Sequence, residues 1–377
     1  MRLAIIRQKY NPYGGAERFI EHALGALAAT GALELTVIAR QWQARPGVNF
    51  VECNPPYRTS LTRDRAFARA VTAKLADNNG GFDIVQSHER IPGVMLYRAG
   101  DGVHATWLEQ RARAASALSR LTTFANPYHR YVQAAERSMF THPELKRVIC
   151  NSAMVKNDIV ARFGLAPERI TVIYNGVDLE RFHPRNRDHR AATRAALDLP
   201  QDAPVFLYAG SGFERKGVTR LMEALARGPL DAHALIVGTD KHAGRYRAAA
   251  ARLGLAGRAH FLGGRHDLPA LYGAADAFVL PTLYDPMPNA ATEALACGLP
   301  VLTTLQCGAR ELITEGGNGF VVAALDGDAL TAALTALAAP GRAEAMRAAA
   351  RSSVAHLSPE AMAAQLLTLY RTLLPGG

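Results

Sequence analysis

The chain has 377 residues, 49% hydrophobic and 20% charged, which suits two folded domains with sizeable cores and excludes a disordered or fibrous protein. No apolar run reaches the ~18 residues of a membrane-spanning helix, and the scattered Cys53, Cys150, Cys297 and Cys307 form neither a disulfide framework nor a zinc pattern, which suits a reducing cytoplasm. The net charge of +10 is uneven: residues 1–184 carry 24 Lys+Arg against 16 Asp+Glu, a net of +8, and the rest carry 19 against 17, so the first half points to an anionic partner such as nucleic acid, an acidic membrane or a phosphorylated substrate, or else to an Ala/Arg-rich composition alone.

Along the chain, Leu3–Arg7 reads as a strand rather than part of a secretion leader, because charge follows the short apolar run at once. A glycine loop and an amphipathic stretch, Ala16–Thr30, come next. Leu35–Ala39 and Ile84–Gln86 are the following strands. Val172-Ile173-Tyr174 runs into Asn175-Gly176, a turn signal that predicts a domain boundary there. In the second half, strands Val205–Ala209, Ala234–Val237, His260–Leu262, Ala277–Leu280 and Val301–Thr304 alternate with helices Val218–Ala226, Gly244–Leu253, Leu268–Ala274 and Ala290–Ala296. This alternation predicts an α/β protein of doubly wound parallel sheets, whose ligands bind at the carboxyl ends of the strands.

Three segments at strand ends carry candidate chemistry. In Asn11–Arg18, Gly14 and Gly15 let the backbone approach a ligand and the next helix offers free N–H groups, although a tight turn explains two glycines equally well. In Gly210–Gly217, Arg215 and Lys216 supply a forked donor and a point charge for a diphosphate. Their position after a strand favours that role over a solvated basic pair. In Pro281–Pro300, Pro288 suits the first turn of a helix and Gly298 its end. Asp285 before that helix and Glu293 within it offer carboxylates to sugar and ribose hydroxyls while the helix N-terminus faces phosphate. An ordinary acidic helix start is the plainer alternative.

Asp285 and Glu293, eight positions apart before A-L-A-C-G-L-P-V, resemble the E-x7-E signature of family 4 retaining glycosyltransferases. P-Y-G-G-A-E-R, N-G-V-D-x-x-x-F-x-P and A-G-S-G-F-E-R-K-G are similar to that family's other motifs, in the same order, from about Leu3 to Val322. A K-Y-x-P-x-G-G opening, an F-x-R-K-G-V segment and an L-T-T-x-x-C-G run look most like the lipopolysaccharide core glucosyltransferase I branch, which transfers glucose from UDP-glucose to an inner-core heptose.

The resemblance implies a GT-B fold, two Rossmann-like domains facing across a cleft. Residues 1–174, rejoined by a C-terminal helix at 360–377, would take the acceptor, and 175–359 the nucleotide sugar. Arg215 and Lys216 would neutralise the donor diphosphate, Glu293 would hold the ribose and Asp285 the transferred sugar. Arg265 would sit beside the base or phosphates, and Gly14 and Gly15 would close over the donor. Asp101, with His104 as the alternative, would stand near the anomeric carbon. Two departures bear on the donor sugar. The first carboxylate is Asp, one methylene shorter, and Pro286 and Pro288 lack N–H groups. Met287, Asn289 and Ala290 remain as backbone donors.

Asp326-Gly327-Asp328 fits a D-x-D metal motif, but helix N-capping explains it more simply. No metal and no cofactor are expected. Two rivals stay open: a sugar-nucleotide 2-epimerase of the same architecture, and a non-enzymatic nucleic-acid binder, which lacks any recognisable binding module. The expected partners are a nucleotide sugar, a lipid-linked or phosphorylated saccharide acceptor and an anionic inner-membrane surface, with no nucleic acid. The membrane reading rests on Leu108–Ile149, where Arg111, Arg113, Arg120 and Arg130 interleave with Leu118, Leu121, Phe124, Tyr128, Tyr131 and Phe140.

Overall fold

The structure is a computed structural model and describes residues 1–8, 25, 31, 33–43, 46–77 and 81–374. Gly14, Gly15 and, apart from residue 25, the expected helix Ala16–Thr30 lie outside the described residues. The chain divides into two compact units, Met1–Gly176 with Pro359–Gly377, and Val177–Ser358.

In unit 1, β1 (Arg2–Ile6), β2 (Glu34–Ala39) and β3 (Val48–Glu52) precede α1 (Ser60–Asp77). Then come β4 (Ile84–Ser87), β5 (Leu96–Ala99), α2 (His104–Ala114), α3 (Ala117–Ala125), α4 (Pro127–Phe140), β6 (Arg147–Cys150), α5 (Ala153–Phe163) and β7 (Ile170–Val172). The strands form one parallel sheet in the order β3-β2-β1-β4-β5-β6-β7. Successive strand residues face opposite sides, so β1 feeds two cores. Leu3 and Ile5 pack with Leu366, Leu367 and Tyr370 of the last helix, Pro359–Arg371, while Ala4 and Ile6 pack with Phe67 and Val71 of α1. Each such Leu, Ile or Phe contributes about 1.5–3 kcal/mol when taken fully out of water.

Local signals set the helix ends. Asn126 caps α4 by accepting from the Tyr128 N–H at 2.9 Å, with Pro127 following. Ser152 accepts from the Val155 N–H to start α5, and Gly164, left-handed at φ 65°, ends it. The stretch Leu108–Ile149, read as interfacial, is α2, α3, α4 and β6, and many of its apolar residues, Val132, Met139, Leu145 and Val148 among them, belong to the core. Leu108 is buried, and Phe140 is buried between Tyr97 (edge-on, centroids 5.6 Å apart) and Phe163 (stacked, 4.5 Å). The side chain of Leu118 lies outside the described residues. Leu121 and Phe124 on α3 are 70% and 46% exposed.

Unit 2 runs α6 (Arg190–Ala196), β8 (Val205–Ala209), α7 (Phe213–Lys216), α8 (Val218–Arg227), β9 (His233–Val237), α9 (Ala243–Arg252), β10 (Ala259–Gly263) and α10 (Leu268–Ala274). It continues with β11 (Ala277–Val279), α11 (Asn289–Ala296), β12 (Val301–Thr304), β13 (Gly319–Val322), α12 (Gly327–Ala338) and α13 (Arg342–Ser353). Its parallel sheet has the order β10-β9-β8-β11-β12-β13. Asp276, leading into β11, anchors the end remote from the strands' carboxyl edge. Its carboxylate accepts from the Val205 N–H at 2.9 Å, lies 2.8 Å from Arg190 and 2.8 Å from Arg194, and Arg194 has no exposed side-chain surface. Arg194 also donates to the carbonyls of Ala274, Pro200, Gln201 and Ala203, so a charge out of water is fully hydrogen-bonded. Asp326 caps α12 by accepting from the Ala329 N–H, and Asp328 pairs with Arg227 at 2.8 Å, so both acids of the D-x-D match are engaged in structure. Among the described residues no helix is long and apolar enough to cross a membrane.

Candidate active site

Strand β8 is buried along its whole length, and the chain leaves its carboxyl end at Gly210. A Cβ on Gly210 would lie 2.6 Å from Cδ of Lys216, so only glycine lets that lysine fold back over the loop. Gly217 is left-handed at φ 86°, and a Cβ there would sit 2.0 Å from the Pro281 carbonyl. Between them α7 is a single turn. Phe213 plugs it into the core edge-on to Tyr208 and Tyr246, and the Phe213 N–H donates to Asp240 at 2.9 Å.

This turn fastens the loop after β11. The Arg215 carbonyl accepts from the Leu283 N–H at 2.8 Å and from the Thr282 hydroxyl at 3.1 Å, and the Arg215 guanidinium donates to the Tyr284 carbonyl at 3.3 Å. The next residue, Lys216, places Nζ 3.2 Å from Oδ2 of Asp285, with side-chain exposures of only 14% and 8%. The lysine read as a phosphate donor and the aspartate read as a sugar acceptor are therefore one ion pair. The backbone of Asp285 is fixed in turn: its N–H donates to Gln306 and its carbonyl accepts from Gly308. Burial, and secondarily Asp285, pushes the Cys307 thiol up to about 12, which makes it a poor nucleophile.

Helix α11 starts at Asn289, one residue before the expected Ala290. Pro288 is the cap at φ −72°, ψ 119°, and the first helical residue is Asn289. The missing proline N–H therefore lies outside the helix, whose first turn is Asn289, Ala290 and Ala291, with the Ala291 N–H donating to the Pro288 carbonyl at 3.0 Å. Glu293 sits within α11, 4% exposed, with Oε2 3.0 Å from the Tyr272 hydroxyl. Arg265, just past β10, forms a two-pronged pair with Asp267 at 2.8 and 2.5 Å and is partly exposed. The N–H of Gly238, after β9, donates to the Gly263 carbonyl, which joins the loops after β9 and β10.

In unit 1, Asp101 is half exposed and 3.5 Å from Arg7, which is also 3.5 Å from Glu89. His104 begins α2, its N–H donates to Glu136 at 2.9 Å, and its Nε2 lies 3.1 Å from Nδ1 of His129. Burial first, then Arg90 and His129, lowers His104 to about 3, so its imidazole is neutral. Sequence reading missed what holds this turn. Glu136 is almost wholly buried, pairs with Arg90 at 2.9 Å, and Arg90 also donates to the Gly102 carbonyl at 3.1 Å. An acid on the buried face of α4 was the one available signal. A small open cavity lies beside it, lined by Gln8, Asp64, Glu89, Arg90, Tyr128 and Tyr131 among others. Gln8 and Glu89 follow β1 and β4, which puts the cavity at the carboxyl edge of this sheet, where ligands of parallel sheets bind.

Comparisons with known proteins agree with this architecture. Residues 13–181 match the model for Glycosyltransferase Family 4 and residues 189–353 that for Glycosyl transferases group 1. The lipopolysaccharide glucosyltransferase WaaG of Escherichia coli (strain K12) is 28% identical over 86% of this chain and 85% of its own. A D-inositol 3-phosphate glycosyltransferase of Geodermatophilus obscurus is 30% identical over 81% of this chain and 70% of its own. A crystal structure of WaaG, a glycosyltransferase involved in lipopolysaccharide biosynthesis, superimposes with a TM-score of 0.83 at 25% identity, covering 100% of both chains. With two parallel α/β units that superimpose on such an enzyme, and with both halves matched by glycosyltransferase models, the chain belongs to glycosyltransferase family 4 and is a glycosyltransferase of the GT-B fold.

Proposed function

We propose that the enzyme transfers glucose from UDP-glucose, with retention, to a lipid-linked or phosphorylated saccharide, the inner core of lipopolysaccharide, at the cytoplasmic face of the inner membrane. The observation that carries the donor half is the Lys216–Asp285 pair seated on Gly210 beside Arg215. A diphosphate entering there would take the lysine as its partner and release the aspartate toward the sugar. Arg215, Lys216 and the N–H groups of Asn289 and Ala290 would be its counter-charge, the work a divalent cation does in other transferases. Glu293 would hold the ribose and Arg265 the base or phosphates. Similarity to WaaG supports glucose and the lipopolysaccharide core.

Unit 1 would take the acceptor. Its cavity offers Glu89 and Asp64 as hydroxyl acceptors and Tyr128 and Tyr131 as ring faces, the furnishing of a saccharide subsite. Asp101 would lie nearest the anomeric carbon. His104 is neutral and its N–H is bound to Glu136, which suits it to hold geometry rather than carry charge. UDP release from UDP-glucose is expected to rise with added acceptor and to be unchanged by EDTA. Release that ignores the acceptor would point to the epimerase or to hydrolysis, and loss on chelation with rescue by Mg²⁺ would overturn the cation-free donor site.

The membrane proposal narrows to α3 and its basic neighbours. Leu121 and Phe124 stand exposed beside Arg120, with Arg111 and Arg113 closing α2. Each basic residue near an anionic bilayer contributes ~1 kcal/mol, enough for reversible binding by a handful. Co-sedimentation with vesicles is expected to require anionic lipid, to fall with salt, and to weaken when Arg111, Arg113 and Arg120 become Gln or when Leu121 and Phe124 become Ser. Equal binding to neutral vesicles would remove the charge from the account.

A further inference from the structure

We infer that Tyr272 is the positioning residue of the nucleotide subsite: its hydroxyl sets the plane of the Glu293 carboxylate that receives the two ribose hydroxyls of a nucleoside diphosphate. The inference rests on the ribose role proposed for Glu293. Tyr272 is fully buried on α10, and its hydroxyl lies 3.0 Å from Oε2 of Glu293 and 3.0 Å from the Ala290 carbonyl. The phenol has one proton for these two acceptors, and given to the carboxylate it makes the charge-assisted bond. It is itself a fixed point. Its ring meets Phe182 edge-on at 5.8 Å and Phe278 at 6.2 Å. At the neighbouring Gly273 even a Cβ would come within 2.1 Å of the Asn186 carbonyl, so α10 is pressed onto the chain beneath it.

A vicinal diol binds a carboxylate best when both oxygens lie in one plane with it. A Glu side chain on a helix has free torsions that work against that geometry. A charge-assisted bond to one oxygen from an immobile donor removes the torsional freedom. Tyr272→Phe would keep the ring packing and delete the hydroxyl with its contacts to Glu293 and the Ala290 carbonyl.

Calorimetric affinities of the whole protein for UDP and for 2′,3′-dideoxy-UDP test this. The wild type is expected to prefer UDP by roughly 10-fold or more, the yield of hydrogen bonds to a charged group. In Tyr272→Phe most of that preference should vanish while dideoxy-UDP binds within about 2-fold of wild type, and adding Glu293→Gln to it should cost little more than Glu293→Gln alone. A Tyr272→Phe protein that keeps the wild-type preference, while Glu293→Gln loses it, overturns the positioning role and leaves the ribose reading standing. Equal weakening of both nucleotides in Tyr272→Phe also overturns it, because that is what loosened packing would do. If Glu293→Gln keeps the preference, or if wild type does not bind UDP, the ribose reading itself falls and this inference with it.

Discussion

Lys216→Ala is expected to lower turnover by on the order of 10²-fold or more, with a smaller change in UDP affinity. Charge builds on the diphosphate as the glycosidic bond breaks, and a fixed cation at that place acts mainly on the transition state. Lys216 is such a cation: folded over Gly210, largely buried, and held 3.2 Å from Asp285. Removing it also leaves Asp285 without its ion partner in a site 8% exposed, so the single variant combines two losses. The companion Asp285→Asn separates them. If the aspartate serves the sugar, Asp285→Asn should spare UDP binding and impair UDP-glucose, and adding Lys216→Ala should cost less than the separate effects combined. Wild-type turnover in Lys216→Ala would take the lysine out of the chemistry.

Asp276→Ala is expected to cost about 3–5 kcal/mol of stability, the usual result of stripping one partner from a buried ion pair. Arg194 has no exposed side-chain surface and would keep its charge among the carbonyls of Ala274, Pro200, Gln201 and Ala203 with no anion left at 2.8 Å. Arg190 would lose the same partner and the Val205 N–H its acceptor. Asp276→Asn retains an acceptor for Val205 and should fall between. The urea midpoint of unit 2 reads both; a shift worth under ~1 kcal/mol in Asp276→Ala would mean that the carbonyls alone neutralise the cluster.

The strands of unit 2 were the most legible part of the chain. The expected bounds of β8 and β12 coincide with the observed ones: both strands are buried on both faces, β8 as an apolar run and β12, Val-Leu-Thr-Thr, as a β-branched one. In unit 1 the pattern was weaker. β3 is an edge strand with Asn49, Phe50 and Glu52 exposed, and β5 hides a buried arginine, Arg98, which donates to Asn175 at 2.5 Å. Neither reads as an apolar run, and both were passed over. At the site, sequence spacing pointed to individual residues but not to their partners. Lys216 meets Asp285, Tyr272 meets Glu293, and Arg90 meets Glu136 across long stretches of chain, and only the sheet topology brings each pair together.

The helix Pro359–Arg371 completes the core that begins at Leu3, and the order of synthesis gives this a consequence in time. Unit 2 is one uninterrupted segment, Val177–Ser358, and can close on itself as soon as it is made. Unit 1 must wait through that whole interval, roughly 10–40 s at ~5–20 residues per second, before Leu366, Leu367 and Tyr370 can pack with Leu3, Ile5, Leu35 and Val37. A nascent chain stalled anywhere in unit 2 therefore offers chaperones and proteases a first core that still lacks the apolar side chains of its last helix. A chain cut before Met362 never receives them, and Leu3, Ile5, Leu35 and Val37 permanently lose the apolar partners that this helix brings.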